Sequence, residues 1–294
     1  MAINPLKETL VAKLLASKGT PMRALPESSD WLRMILDETI ERDQPFWREQ
    51  STFFRVSASG EACERKMTFD AMGHNVPFEA RMLRLFRVGN KIEEANVPVF
   101  FDAGLLIHPQ PGEPQEEVVY YGEGEERLLV GHYDLLIKRR GTDELWLGEV
   151  KSINTNNFKK LPVPHEMPLQ NVNNLLRTYP RYVMQWTMYA ASEQVNTTHG
   201  FLLFEHKNDS AQHLYSLVVD EELKASVLRR LMGAWEYVRD IKEQRLAPVP
   251  NMRSPEDPRD PVCKWCSANY LCRKMPREGA SYDDLRAEDA KLRG

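Results

Sequence analysis

Two alternating segments separated by a short polar turn limit this chain more than any other feature. In Leu128–Ile137 the residues Leu128, Val130, His132 and Asp134 share one face of an extended strand. In Leu145–Ser152 the residues Leu145, Leu147, Glu149 and Lys151 do the same. Between them, Gly141-Thr142 suits the centre of a two-residue type II′ turn. A hairpin closed there pairs residues whose numbers add to 283, which sets Asp134 opposite Glu149. Their Cβ atoms would then lie about 5 Å apart, with Lys151 two residues on along the same face. A slip of one residue would turn all three away.

Two carboxylates and an ammonium on one strand face are poor core material. Hard divalent cations such as Mg²⁺ or Mn²⁺ take carboxylate oxygens, with water completing the shell. A lysine beside them can orient or deprotonate an attacking water, or steady developing negative charge. A cross-strand ion pair of Lys151 with Asp134 or Glu149 is the plainer alternative.

The segment 81–97 has helical periodicity. Met82, Leu85, Phe86, Gly89 and Ile92 share one face, and Arg81, Arg84, Arg87 and Lys91 the opposite one. Glu93 falls on the apolar side, where a carboxylate is costly unless an arginine or a metal ion pairs with it.

The surrounding organisation is that of an α/β protein. Residues 1–50 read as a helical extension, including Pro5–Lys18 and Asp30–Asp43, and residues 51–245 alternate helical and strand periodicity. Residues 246–294 comprise a Pro-rich linker with five prolines between 246 and 262, a cysteine cluster and a charged, solvated tail. At 294 residues the chain can bury a full core. A net charge of −4 excludes a polycation that coats nucleic acid but leaves room for a local basic track. No stretch nears the ~20 apolar residues of a membrane span, and residues 1–19 lack the pattern of a secretion signal. The expectation is a cytoplasmic protein with no membrane partner.

The four cysteines are unevenly placed. Cys263, Cys266 and Cys272 form C-x(2)-C-x(5)-C, while Cys63 stands two hundred residues upstream. Four thiolates can hold Zn²⁺ or an iron–sulfur cluster. Structural zinc more often uses two short Cys-x(2)-Cys knuckles. Bringing Cys63 to the C-terminal triplet would close a long loop, which stabilises by several kcal/mol in a loop-entropy account.

Taken together, these pieces resemble the PD-(D/E)XK nuclease superfamily in its RecB-like branch, over roughly residues 55–275. Gly89-Asn90-Lys91-Ile92-Glu93 resembles the helix motif with a metal ligand four residues after a glycine. Gly131-His132-Tyr133-Asp134 resembles the strand bearing the first acid, Glu149-Val150-Lys151 the E-x-K, and Gln185 to Tyr189 the Q-x(3)-Y motif. Many RecB-like members carry histidine where this chain has Glu93.

The resemblance implies a PD-(D/E)XK core: a central mixed sheet flanked by helices. It also implies one or two Mg²⁺ or Mn²⁺ ions held by Glu93, Asp134, Glu149 and the carbonyl of Val150. Lys151 would then act on the water, while Gln185 and Tyr189 orient the substrate. The cysteine spacing resembles that of the four-cysteine CRISPR-associated exonucleases and the AddB subunit. This implies a structural [4Fe–4S] cluster on Cys63, Cys263, Cys266 and Cys272.

The function so implied is hydrolysis of DNA phosphodiester bonds, as an exonuclease on single strands or ends. A rival reading is a DNA-end binding adaptor for a helicase, integrase or recombinase, with little or no cleavage of its own. Candidate basic patches are the polar face of 81–97, Lys138-Arg139-Arg140 and Lys159-Lys160, each also readable as a solvated face. Phe158 and Tyr179, in the Asn- and Pro-rich stretch 153–179, are candidate exposed aromatics for stacking a base.

Overall fold

The structure, a computed structural model, describes residues 26–42, 44, 53–61, 63–122, 125–162, 164, 172–242, 260–264, 266–274 and 282–293. Pro5–Lys18 and most of the Pro-rich linker lie outside these residues. In chain order the elements begin with α1 (Pro26–Glu41), β1 (Phe54–Arg55), α2 (Glu64–Ala71) and α3 (Ala80–Asp102). The strands β2 (Leu106–His108), β3 (Glu117–Tyr121), β4 (Arg127–His132), β5 (Leu135–Lys138) and β6 (Leu145–Ile153) follow. Then come α4 (Thr155–Phe158), α5 (Val172–Thr178), α6 (Pro180–Ala190), β7 (His199–His206), β8 (Gln212–Val218) and α7 (Glu221–Lys242). Three helices end the chain: α8 (Pro261–Lys264), α9 (Asn269–Lys274) and α10 (Tyr282–Arg293).

The protein is α/β. A mixed five-stranded sheet, ordered β2-β5-β6-β7-β8, lies beside a small three-stranded sheet, β1-β4-β3. Within the large sheet only β6 and β7 run parallel. Helices cover both faces of this sheet. Ile92, Val97 and Phe100 of α3 pack on Leu135, Val150 and Leu203, with Phe100 stacked on Phe201 at 5.6 Å. Val183, Trp186 and Met188 of α6, with Val227 and Leu231 of α7, pack on Leu147, Leu202 and Phe204 on the opposite face. The parallel pair is buried from both sides, which is why β7 reads as an almost unbroken apolar run. Pro180 occupies the first turn of α6, where a missing N–H costs nothing.

The structure redraws two expectations. Leu128–Ile137 is not one alternating strand: Leu128, Leu129 and Val130 are all buried in β4, and the chain leaves the small sheet at Tyr133-Asp134 before entering the large one as β5. His132 ends β4 exposed. The hairpin register nevertheless pairs Leu135 with Gly148 and Lys138 with Leu145, numbers that add to 283. Its turn is centred one residue earlier than Gly141-Thr142. Thr142 donates its N–H to the carbonyl of Arg139, and Gly141 takes the positive φ of 78°.

The charged tail contains a helix, α10, with Asp284 in its first turn and Lys291 near its last, the order that suits a helix dipole. Among the described residues no helix is long and apolar enough to cross a membrane.

Candidate active site

Asp134 occupies the crossing between the two sheets. The β5–β6 ladder ends at Leu135–Gly148, so Val150 has no backbone partner on that edge. The Asp134 carboxylate takes its place: Oδ2 accepts the Val150 N–H at 2.8 Å, and Oδ1 accepts from Gln115 Nε2 at 2.9 Å. The N–H and C=O of one extended residue point to the same side of the strand, so the Val150 carbonyl lies on this vacated edge as well.

Glu149 is fully buried on the α6 face. Its Oε1 accepts from Gln185 Nε2 at 2.6 Å and pairs closely with the Lys151 ammonium. Its Oε2 is buried with no hydrogen-bond partner among the described residues. Lys151 Nζ lies 4.0 Å from Asp134 Oδ2 and 5.9 Å from the centre of the Tyr182 ring. Tyr189 is buried one helical turn behind Gln185.

Two glycines permit the close approach of these elements. A Cβ at Gly131 would come within 2.6 Å of the Tyr189 hydroxyl and 2.8 Å of the Val56 side chain. A Cβ at Gly89 would come within 3.1 Å of Ser152 Oγ, so α3 settles against β6 there. Glu93 follows one turn later, half-buried and within the electrostatic reach of Asp134 and Lys151. Farther along α3, Asn96 Nδ2 donates to buried Glu205 at 3.1 Å, which ties the helix to β7.

The electrostatics are those of crowded, desolvated carboxylates. Burial, reinforced by Asp134, pushes Glu93 up to about 7, although Lys151 and Lys207 pull the other way. Burial and Asp134 likewise push Glu149 up to about 8. Burial alone would lower the Lys151 pKa, but Glu149, Asp134 and Glu93 outweigh it and hold the ammonium charged.

The structure thus places Glu93, Asp134, Glu149, Val150, Lys151, Gln185 and Tyr189 in one neighbourhood. Glu93, Lys151 and Gln185 line an open cleft of about 830 Å³. Tyr182, on the same helical stripe as Gln185, also lines the cleft. Gln115 carries no sequence signal, because it reaches Asp134 from the loop before β3.

The remaining candidates are scattered, and of those that follow only Tyr179 lines the cleft. Lys138–Arg140 stand at the tip of the hairpin, the end of β5 away from Asp134, where Lys138 and Arg139 pair with Asp143 and Glu144. Phe158 is packed between His206 and His213, at 5.1 and 4.5 Å. Tyr179 is stacked on Tyr182, and its hydroxyl donates to the Asn157 carbonyl at 2.7 Å. Neither ring is a free stacking platform. On α3, Arg81, Arg84, Arg87 and Lys91 are exposed, with Arg84 engaged by Asp37 and Lys91 by Glu94.

A second cavity lies between α2 and the C-terminal helices. Cys63, at the N-cap of α2, lines it together with Cys263, Cys266 and Cys272, and none of the four is in a disulfide. Burial pushes Cys272 up to about 11, and it raises Cys266 too. Arg65 lines the same cavity at 1% exposure, its guanidinium 5.8 Å from the centre of the Phe69 ring. Among the described residues, no group of three or more His, Cys, Asp or Glu side chains is placed to hold a metal ion.

No protein-family model matches the sequence, and no curated protein matches it. Solved structures do. The protein SSO0001 is similar over 85% of this chain and 98% of its own, at 13% identity and a TM-score of 0.45. An alkaline exonuclease from Laribacter hongkongensis is similar over 66% of this chain and 91% of its own, at 13% identity and a TM-score of 0.44. A phage-related exonuclease from Haemophilus somnus 129PT is similar over 67% and 96%, at 13% identity and a TM-score of 0.40.

Proposed function

We propose that this protein is a divalent-metal-dependent deoxyribonuclease of the PD-(D/E)XK type, RecB-like branch, acting as an exonuclease on single strands or DNA ends. The observation that carries this reading is the unshared, fully buried Oε2 of Glu149, set between Asp134, Lys151 and Gln185. An orphaned carboxylate oxygen in a dry site costs on the order of 1–3 kcal/mol unless it serves something. A cation is the partner its charge calls for.

Glu93, Asp134, Glu149 and the carbonyl of Val150 are all oxygen donors, the kind Mg²⁺ and Mn²⁺ take, and would hold such an ion once drawn together. When bound, such an ion supplies Lewis acidity at the phosphodiester and lowers the pKa of a water. The chain's own groups do the rest. Lys151, kept cationic by its three carboxylate neighbours, holds the attacking water and stabilises charge developing on the phosphate. Gln185 donates to Glu149 from α6 and sets the carboxylate's orientation, with Tyr189 buried one turn behind it.

The cysteine cavity is assigned to a structural [4Fe–4S] cluster. Four uncrosslinked cysteines share its lining, and the buried charge of Arg65 suits a site whose ligands become thiolates. The cluster would tie α2 to α8 and α9 across two hundred residues of chain. Protein purified without oxygen should carry iron and a broad visible absorption band. A colourless protein with stoichiometric zinc would replace the cluster with zinc and leave the nuclease assignment standing.

The test of function is cleavage of 5′- and 3′-end-labelled single-stranded DNA with Mg²⁺ or Mn²⁺, beside Asp134→Ala and Lys151→Ala. Products that require metal and vanish in both variants establish the site, and the labels give the polarity. Tight binding without cleavage, indifferent to both substitutions, would overturn the assignment in favour of an end-binding adaptor.

A further inference from the structure

Three cavities on one side of the molecule share their walls. The 830 Å³ cleft at Glu93 and Lys151 shares Ser57 and Arg181 with a cavity of about 200 Å³ that Glu61 also lines, and that cavity shares Arg55, Lys66 and Asp70, the last two ion-paired, with a third of about 600 Å³. The third is bounded by Ser267, between Cys266 and Cys272. The three cavities therefore adjoin in series, as a candidate groove, between the carboxylate site and the cysteine-rich end of the chain.

The lining of this groove repeats. In the first stretch Phe86 and Arg181 are lining neighbours, and in the last Phe78 and Arg55. Phe78 and Phe86 are each 43% exposed and meet edge-to-face at 5.0 Å, so they form one aromatic ridge joining the two stretches. The apolar face of 81–97 was expected to bury in the core. Its first half, Met82, Leu85 and Phe86, instead lines or borders this groove, and only Gly89 and the residues after it turn to the sheet. The cations are less shielded than their acidic neighbours suggest. Arg55 and Arg181 are exposed, and Arg181 meets Glu61 only at 3.9 Å.

Exposed aromatics alternating with arginines along a groove are the chemistry that holds single-stranded nucleic acid: π-faces for bases and cations for phosphates. A duplex offers no free base faces to such a ridge. We propose that the strand extending from the scissile phosphate runs along this groove toward the cysteine cavity, with bases against Phe86 and Phe78 and phosphates at Arg181 and Arg55. The proposal rests on the nuclease reading and adds to it a binding site several nucleotides long that selects single strands.

Binding of labelled oligothymidylates, from a dinucleotide to about twelve nucleotides, is measured with the Asp134→Asn protein. Affinity is expected to climb over several added nucleotides. In that background Phe78→Ala should weaken the long oligonucleotide roughly tenfold and leave the dinucleotide unchanged. Arg55→Ala should reduce the slope of log affinity against log salt by about 0.7. Equal affinity for short and long oligonucleotides, or full affinity of Phe78→Ala and Arg55→Ala for the long one while wild type still cleaves, overturns the groove alone. Absence of cleavage by wild type overturns the nuclease reading, and the groove with it.

Discussion

At Glu149 one carboxylate oxygen accepts from Gln185 and Lys151 while the other, equally buried, accepts from nothing among the described residues. Removing that oxygen's charge should abolish activity without unfolding the protein. Glu149→Gln is expected to lose on the order of a thousandfold or more in cleavage rate. Gln185→Ala, which removes only the hydrogen bond that aims the carboxylate, should cost roughly ten- to a hundredfold. Steady-state cleavage rates compared with circular dichroism of the same variants separate lost chemistry from lost fold.

Glu93 gives a prediction with a sign. Its folded pKa, about 7, lies above its ordinary value of 4.5, so it favours folding below that ordinary value and loses the contribution as pH rises through 7. In metal-free protein Glu93→Gln should be more stable than wild type by about 1–3 kcal/mol at pH near 8. The two should converge near pH 4. Denaturant unfolding at the two pH values reads this directly.

Among the elements, the site depends on a strand that ends early and on helices that come close. Asp134 can reach the Val150 N–H because β5 begins one residue later, and Tyr189 reaches its place because Gly131 leaves room for the hydroxyl. Gly131→Ala should therefore destabilise by about 1–3 kcal/mol and lower activity by displacing Tyr189. Tyr189→Phe in the Gly131→Ala background should recover part of the stability, because one of the two close contacts is relieved. Thermal unfolding of the single and double variants measures the coupling.

The hairpin register was legible from the short polar turn around Gly141, and the numbers adding to 283 survived even though the turn is centred one residue earlier and β5 does not alternate. The division of Leu128–Ile137 between two sheets was not legible. β4 is buried on both faces and loses the alternation that would have marked its end. Gln115 and the Phe78–Phe86 ridge were hidden for a related reason: each depends on where a loop or half of a helix face lies in space, which local periodicity does not encode.

For the molecule as a whole, the α/β architecture brings residues from α3, the sheet crossing, β6 and α6 to one cleft, and draws Cys63 to three cysteines near the other end of the chain. The proposed cluster would close a loop of about two hundred residues, for which loop entropy allows roughly 5 kcal/mol. Cys63→Ser, or chelation of the bound metal, should lower the melting temperature of the whole protein while leaving the carboxylates in place. Calorimetry of the oxygen-free protein before and after metal removal tests this, and an unchanged melting temperature would count against a structural tie.

The proposed chemistry requires a cation seated at Glu93, Asp134 and Glu149. Mn²⁺ binding, followed by electron paramagnetic resonance in wild type and Glu149→Gln, reads that site alone. The expected result is saturable binding to wild type that tightens from pH about 6 to 8 as Glu93 and Glu149 lose their protons, and that is weakened at least tenfold in the variant. Equal Mn²⁺ binding by the two proteins, or none by either, would contradict it.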